Sequence, residues 1–261
     1  MTHWVRFEAG GRIGFGTLEG DRITEHEGDM FAGAAGAPQA SSRTLALSEV
    51  RLLTPTQPSK MIALWNNFHA LAAKMNVPEP EEPLYFLKAN NSFLAAGETI
   101  RRPRAYAGKV TYEGELGIVI GKQCKDVPEA EIAPYIFGYS CVNDVTAVEL
   151  ISKDSTFAQW VRSKSFDTFG VFGPAVVTGL DPMTLSVRTV LNGQERQNYP
   201  LADMIFPPAR LVSLLSHDMT LYPGDVIAVG TSLGVGSMKE PRNTIEVSIE
   251  GVGTLSNVFE Q

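Results

Sequence analysis

Val110-Thr111-Tyr112-Glu113-Gly114-Glu115-Leu116-Gly117-Ile118-Val119-Ile120-Gly121 is the stretch on which the reading of this chain turns. Its second half is β-branched and aliphatic and stops at Gly121, the pattern of a buried strand. Its first half places Glu113 and Glu115 two residues apart. Side chains of a strand alternate faces, so the two carboxylates project from the same side. Like charges side by side, running into an apolar strand, are costly unless a cation or solvent neutralises them. The pair alone leaves both outcomes open.

Working outward, the chain of 261 residues has room for one large domain or a small one joined to a larger one, and its 44% hydrophobic content suffices for a sizeable core. A net charge of −7 with no basic run argues against nucleic acid as a partner. No apolar stretch is long enough to span a bilayer, and Met1-Thr2-His3-Trp4 opens no signal peptide. Cys124 and Cys141 form neither a C-x-x-C pair nor a metal knuckle, which fits free thiols in a reducing compartment. These features predict a cytoplasmic protein that does not associate with membranes.

Before the acidic stretch, Trp4 to Phe7 and Ile13 to Leu18 flank Gly10-Gly11 and predict a hairpin. Gly33 to Ser42 reads as a loop or weak helix. Leu52 to Pro58, with its two prolines, reads as an extended connector, and the domain boundary is placed there: residues 1–56 as a small N-terminal β domain, 57–261 as the main domain. Met61 to Trp65 predicts a buried strand. Asn66 or Asn67 is placed to cap a helix carrying Phe68, Leu71 and Met75 on one face and ending near Asn76. The polar run Pro78 to Pro83 follows, either an ordinary surface loop or part of a lid.

Beyond it, strands are predicted at Leu84 to Lys88, within Ile132 to Val142, at Val171 to Val177, Leu185 to Leu191, Asp225 to Val229 and Thr244 to Ile249, with a type I′ turn at Asn192-Gly193 and a short helix at Pro207 to Ser216. Strands dominate and helices are short and scattered, so the class is α+β with a β-rich core.

Three further stretches bear chemistry. Asp144 ends a strand beside Asn143; it either caps a helix over Val145 to Glu149 or joins Glu113 and Glu115 in an oxygen-only ligand set suited to Mg²⁺ or Mn²⁺. Lys164 and Asp167 stand three apart in a loop interleaved with aromatics, either as an exposed ion pair or with the lysine facing a metal-bound anion. Gly230-Thr231-Ser232-Leu233-Gly234 matches G-x-S-x-G, but His3, His26, His69 and His217 all precede Ser232, whereas a nucleophile elbow of that kind needs its histidine after the serine. The glycines predict instead a tight turn that brings backbone N–H groups close to a ligand.

Four runs in this order, Tyr112-Glu113-x-Glu115-Leu116, Gly138-Tyr139 through Asn143-Asp144-Val145-Thr146-Ala147, Lys164-Ser165-Phe166-Asp167-Thr168-Phe169 through Gly173-Pro174, and Gly230-Thr231 through Gly234-Val235-Gly236, resemble the fumarylacetoacetate hydrolase family. The resemblance runs from about Met61 to the C-terminus and is nearest to its acylpyruvase and 2-hydroxyhepta-2,4-diene-1,7-dioate isomerase members. It implies a mixed β-sandwich roll, a homodimer, and Mg²⁺ or Mn²⁺ held by Glu113, Glu115 and Asp144. It also places the active-site lysine at Lys164 and a ligand-contacting threonine at Thr231. The implied substrate is a 2-oxo acid or diketo acid from aromatic-compound catabolism. The implied chemistry is C–C hydrolysis, with electrons flowing into a metal-held enolate and His69 as a candidate base. The alternatives are decarboxylation or enol–keto isomerisation on the same substrates, and a non-catalytic protein that binds metal and a small acid.

The sequence departs from the family at two places. Where many members carry a His and then a Glu on the helix after the first strand, this chain has Leu71 and Lys74; about 200° of helical rotation separates His69 from Leu71. Where many follow the metal aspartate with Thr-Ala-Arg-Asp-x-Gln, this chain has Thr146-Ala147-Val148-Glu149-Leu150-Ile151, apolar at both substrate-gripping positions. Recognition of a substrate carboxylate is therefore assigned to Lys88, Arg162 or Lys164.

Overall fold

The acidic stretch lies in the middle of the molecule, although not as one continuous strand. In the computed structural model, which describes residues 1–32 and 36–261, Val110–Tyr112 and Gly114–Ile120 are separate strands broken at Glu113. The first belongs to a small sheet of three strands, between Thr146–Ala147 and Gly236–Ser237. The second is central to the largest sheet. The break is held by Asn143, whose Oδ1 accepts the Glu113 N–H, and by the Glu113 carbonyl, which accepts the Asp144 N–H.

Gly114–Ile120 pairs antiparallel with Ile136–Asp144 on one side and with Val226–Ala228 on the other. Outward from Val226–Ala228 come Met61–Trp65, in parallel, and then Leu84–Lys88 at the edge. Outward from Ile136–Asp144 come Gly170–Thr178 and the N-terminal meander Thr2–Ala9, Arg12–Glu19, Arg22–Glu27 and Gln39–Ala46. A second sheet of five strands, in the order Gln194–Pro200, Ser186–Leu191, Arg242–Ile249, Gly253–Glu260, Thr99–Arg101, packs on one face of the first.

Alternation along Gly114–Ile120 explains its unbroken apolar run. Leu116, Ile118 and Ile120 enter the core facing the second sheet, with Val187, Ile245, Val247 and Leu255. Val119 points the other way, into a cluster with Met61, Phe86, Val142 and Phe172. Both faces are buried, so both parities are apolar. The result is the β-rich α+β sandwich expected, with three short α-helices among the described residues: α1 (His69–Met75), α2 (Trp160–Lys164) and α3 (Pro208–Asp218).

The Gly10-Gly11 hairpin is present, with both glycines at positive φ, as is the turn at Asn192-Gly193, with φ of 51° and 75°. Several local expectations need correction. Within Gly33 to Ser42, expected as loop or weak helix, Gln39 onward belongs to the edge strand Gln39–Ala46, whose period-2 Ser/Thr pattern with exposed alternate positions suits a sheet edge, while residues 33–35 lie outside the described residues. The strand predicted within Ile132 to Val142 starts at Ile136, after 3₁₀ turns.

Neither Asn66 nor Asn67 caps α1. Asn66 takes a left-handed φ of 57° and its Nδ2 donates to the Pro78 carbonyl, while Asn67 bridges Val229 and Phe206. The start of α1 is satisfied from afar, where Asp203 Oδ2 accepts the Ala70 N–H at 3.0 Å. Among the described residues, no helix is long and apolar enough to cross a membrane.

Candidate metal centre and its cleft

Three oxygen ligands converge where the large and small sheets meet. Glu113 sits in the break between strands, Glu115 one residue into the central strand, and Asp144 at the end of its neighbour. One carboxylate oxygen from each lies within 4.8 Å of the others. Glu115 and Asp144 are fully buried, while Glu113 keeps an edge toward solvent. Asp144 caps no α-helix, since a two-residue strand and a 3₁₀ turn follow it.

Two lysines close the cluster. Lys164, the last residue of α2, is buried and donates to Glu113 Oε2 at 2.6 Å and Asp144 Oδ2 at 2.7 Å. It does not pair with Asp167, whose carboxylate accepts from Asn91. Lys88, inward-facing on the edge strand, is also buried and donates to Asp144 Oδ1 and to the Val145 carbonyl.

The electrostatics follow from this packing. Burial works against a charge on Asp144, but Lys164 and Lys88 outweigh it and hold its carboxyl below the usual range. Burial, reinforced by Asp144 and Glu113, raises the Glu115 carboxyl well above the usual range. Glu113 is raised by burial and by Asp144, against the pull of Lys164. Burial opposes the Lys164 charge, yet Asp144 and Glu113 keep its ammonium form held more tightly than normal, whereas burial lowers Lys88.

With every group ionised, the three carboxylates and two lysines sum to −1. Glu115 Oε2 accepts the Gly230 N–H at 2.9 Å, but its Oε1 is buried with no hydrogen-bond partner. A buried, unpartnered carboxylate oxygen aimed into an all-oxygen cluster fits a hard divalent cation. Mg²⁺ and Mn²⁺ suit that donor set, with Glu113, Glu115 and Asp144 as holders.

The Gly230 turn is tight, as the glycine pattern predicts, with a φ of +91°, but its backbone N–H is given to the Glu115 carboxylate rather than left open for a bound ligand. Next to it, Thr231 donates to the Gly114 carbonyl and accepts from Gln197 Nε2. Gln197 Oε1 also accepts the Gly114 N–H, and the Tyr199 hydroxyl donates to the Gly114 carbonyl. Thr146 Oγ1 donates to Glu113 Oε1. Gln197 and Tyr199 escaped the sequence analysis because their strand, Gln194–Pro200, is polar overall; the only signal was that both occupy one parity of it.

Above the carboxylates opens a cleft of about 400 Å³ that reaches Glu113, Lys164 and Thr231 at its base. Its walls include Leu71 and Met75 of α1, and Trp160 of α2. The structure does not bring all the expected residues here. His69 is half exposed outside the cleft and its Nδ1 meets Glu79 Oε1 at 2.6 Å, as the helical rotation from Leu71 implied. Arg162 is exposed and away from the cleft lining. Lys88 is sealed beneath Asp144, so it positions a ligand carboxylate rather than reaching a substrate. Trp160 and Asn66, both in the cleft wall, were missed; a single aromatic in a polar stretch and a helix-flanking Asn carry no distinctive signal.

A strand-built sandwich of this kind is found in a superfamily of enzymes that includes hydrolases, isomerases and tautomerases. The chain belongs to the fumarylacetoacetate hydrolase family: the signature described as fumarylacetoacetate (FAA) hydrolase C-terminal matches residues 60–260. A second signature, Rv2993c-like, N-terminal, matches residues 2–55.

Among solved structures, a 2-hydroxyhepta-2,4-diene-1,7-dioate isomerase from Mycobacterium marinum superposes with a TM-score of 0.89 at 34% identity, covering 100% of this chain and 98% of the other. A maleylpyruvate hydrolase from Sphingobium sp. SYK-6, in complex with manganese(II) and pyruvate, superposes with a TM-score of 0.78 at 26% identity, covering 99% and 100%. An oxaloacetate tautomerase, mitochondrial, from Xenopus laevis is 34% identical over 234 residues, 86% of this chain and 73% of its own. Enzymes of this family generally depend on divalent metal.

Proposed function

We propose that this protein is a divalent-metal-dependent enzyme that interconverts the enol and keto forms of a 2-oxo acid or 2,4-dioxo acid. The observation that carries this reading is the charged base of the cleft, together with the absence of histidine among the described residues lining it. Held by Glu113, Glu115 and Asp144, Mg²⁺ or Mn²⁺ would supply Lewis-acid polarisation and would bring the cluster's charge from −1 to +1, which favours an anionic acid.

The chain's own residues do the rest. Lys164, whose ammonium is held firmly by Asp144 and Glu113, lies at the base of the cleft where negative charge builds on the 2-oxo oxygen during enolisation. Lys88 and Thr146 fix the orientation of Asp144 and Glu113. Thr231, itself held by Gln197, offers a hydroxyl oxygen at the cleft wall.

Enol–keto interconversion breaks the C3–H bond and forms the enol O–H, or the reverse, with water in the open cleft carrying the one proton between them; hydrolysis of a C–C bond asks in addition for a base that activates a water to attack the carbonyl. The expected candidate, His69, pairs with Glu79 outside the cleft, which is why enol–keto interconversion ranks ahead of hydrolysis here. The manganese and pyruvate complex of the maleylpyruvate hydrolase supports hydrolysis as the second reading.

The test follows metal-loaded protein with oxaloacetate and an acylpyruvate, by ultraviolet loss of the enol and by product analysis. Accelerated enol decay without released CO₂ or cleaved acid is expected; stoichiometric cleaved acid would establish hydrolysis in its place.

Two companion proposals rest on the same scaffold. The division into residues 1–56 and 57–261 is supported by signatures that end at residue 55 and begin at residue 60. The homodimer is supported by Leu84, Tyr85 and Leu87, exposed on the sheet's edge strand, and light scattering of the purified protein checks it.

A further inference from the structure

We infer that the substrate carries an uncharged, apolar tail, an aryl or alkyl group on the far side of the dioxo head, and that this cleft selects against a second carboxylate. The inference rests on the 2-oxo acid reading and deepens it.

Above the charged base, the walls of the cleft are apolar over most of their extent. Trp160 lies at the centre of an aromatic group, 5.6 Å from Phe86 in a stacked arrangement and 5.8 Å from Trp65, centroid to centroid. Across from them are Leu71, Val148 and Ile151. The cluster's cations are already engaged: Lys164 by Glu113 and Asp144, Lys88 by Asp144 below the cleft. Arg162, the remaining candidate, points its exposure elsewhere than this lining.

A tail carboxylate would therefore be desolvated against aromatic and aliphatic walls, where Lys164 is the one cation among the described lining residues and is already held at the base by Glu113 and Asp144. A phenyl or alkyl tail in the same place buries apolar area and stacks on Trp160. Asp144 ends its strand, Thr146–Ala147 follows, and Val148 opens the 3₁₀ turn that Ile151 closes, so the wall and the candidate ligand aspartate are placed by one short segment. A head docked at the carboxylates leaves its tail directed along that wall.

The experiment titrates the Mn²⁺-loaded full-length protein, by calorimetry, with 2,4-dioxo acids of one head and two tails, phenyl or carboxylate-ended. Oxalate serves as the head-only probe. The phenyl-tailed acid is expected to bind about tenfold or more tighter than the carboxylate-tailed one, and with the more negative heat-capacity change. Equal or tighter binding of the carboxylate-tailed acid, with oxalate binding intact, overturns the tail inference alone. Failure of oxalate and of both dioxo acids to bind sinks the 2-oxo acid reading and the tail inference with it.

Val148→Arg supplies a second arm that does not depend on absolute affinity. It should shift the ratio of the two affinities toward the carboxylate-tailed acid, and a ratio left unchanged counts against the inference.

Discussion

The base of the cleft and its α1 side solve opposite problems. At the base, five charged side chains are packed so closely that almost every oxygen and ammonium has a partner, the exception being Glu115 Oε1. On the α1 side, the polar groups stand in solvent: His69 and Glu79 are about half exposed, and Lys74 is exposed. Buried charge demands a complete network and tolerates little change; an exposed pair is nearly free to vary.

The largest expected effect that tests this contrast is at the base. Glu115→Gln removes the ligand whose free oxygen points into the cluster. Metal affinity measured by titration should fall by more than the roughly 10–100-fold typical of losing a supporting residue, and turnover should go with it. Undiminished metal binding would remove the metal centre from this account.

Lys88→Ala leaves Asp144 buried with one cation fewer, and denaturant unfolding should show a loss of about 3–5 kcal/mol, the range for breaking a buried pair. A loss below 1 kcal/mol, on the order of an exposed pair, would place Lys88 in the same category as His69.

The third effect depends on pH. The Glu115 carboxyl is raised above its ordinary value of 4.5, so the proton it holds favours the folded metal-free protein at low pH. That contribution is lost as pH climbs through the raised value, and metal, which needs the ionised carboxylate, then takes its place. The gap in Tm between metal-loaded and metal-free protein should widen as pH rises from 4.5, with protons released on metal binding. A gap that narrows with pH would contradict the assignment.

The smallest effect belongs to the α1 side. His69→Ala should change turnover by no more than about twofold and stability by a few tenths of a kcal/mol, as for an exposed pair. A loss of about a hundredfold or more, the scale of general-base catalysis, would mean that α1 moves His69 over the substrate and that the two regions act together.

What could be read from the sequence divides along the same line. The β-rich class and the hairpins at Gly10-Gly11 and Asn192-Gly193 follow from local patterns, because alternation and turn chemistry operate over a few residues, whereas the meeting of Asp144 with Glu113 and Glu115 was implied by the family resemblance alone. Lys88's seat under Asp144, the capping of α1 by Asp203, and the hold of Gln197 on Thr231 are contacts across 56, 133 and 34 residues of sequence. No local period encodes them. The break at Glu113 was also hidden: the residues suit one long strand, and only the pairing of each half with a different sheet divides it.

The order of strands in the large sheet also sets the order in which it can assemble. Thr2–Trp4 pairs with Val176–Thr178, and Met61–Ala63 with Val226–Ala228. A nascent chain therefore makes the N-terminal meander long before the strand it docks on, and Met61–Ala63 waits for a strand more than 160 residues later to gain an inner neighbour. Pairings over such separations fold slowly and leave edges open in the interval. Refolding should accordingly be limited by the capture of Val226–Ala228, the strand that joins the two halves of the sheet.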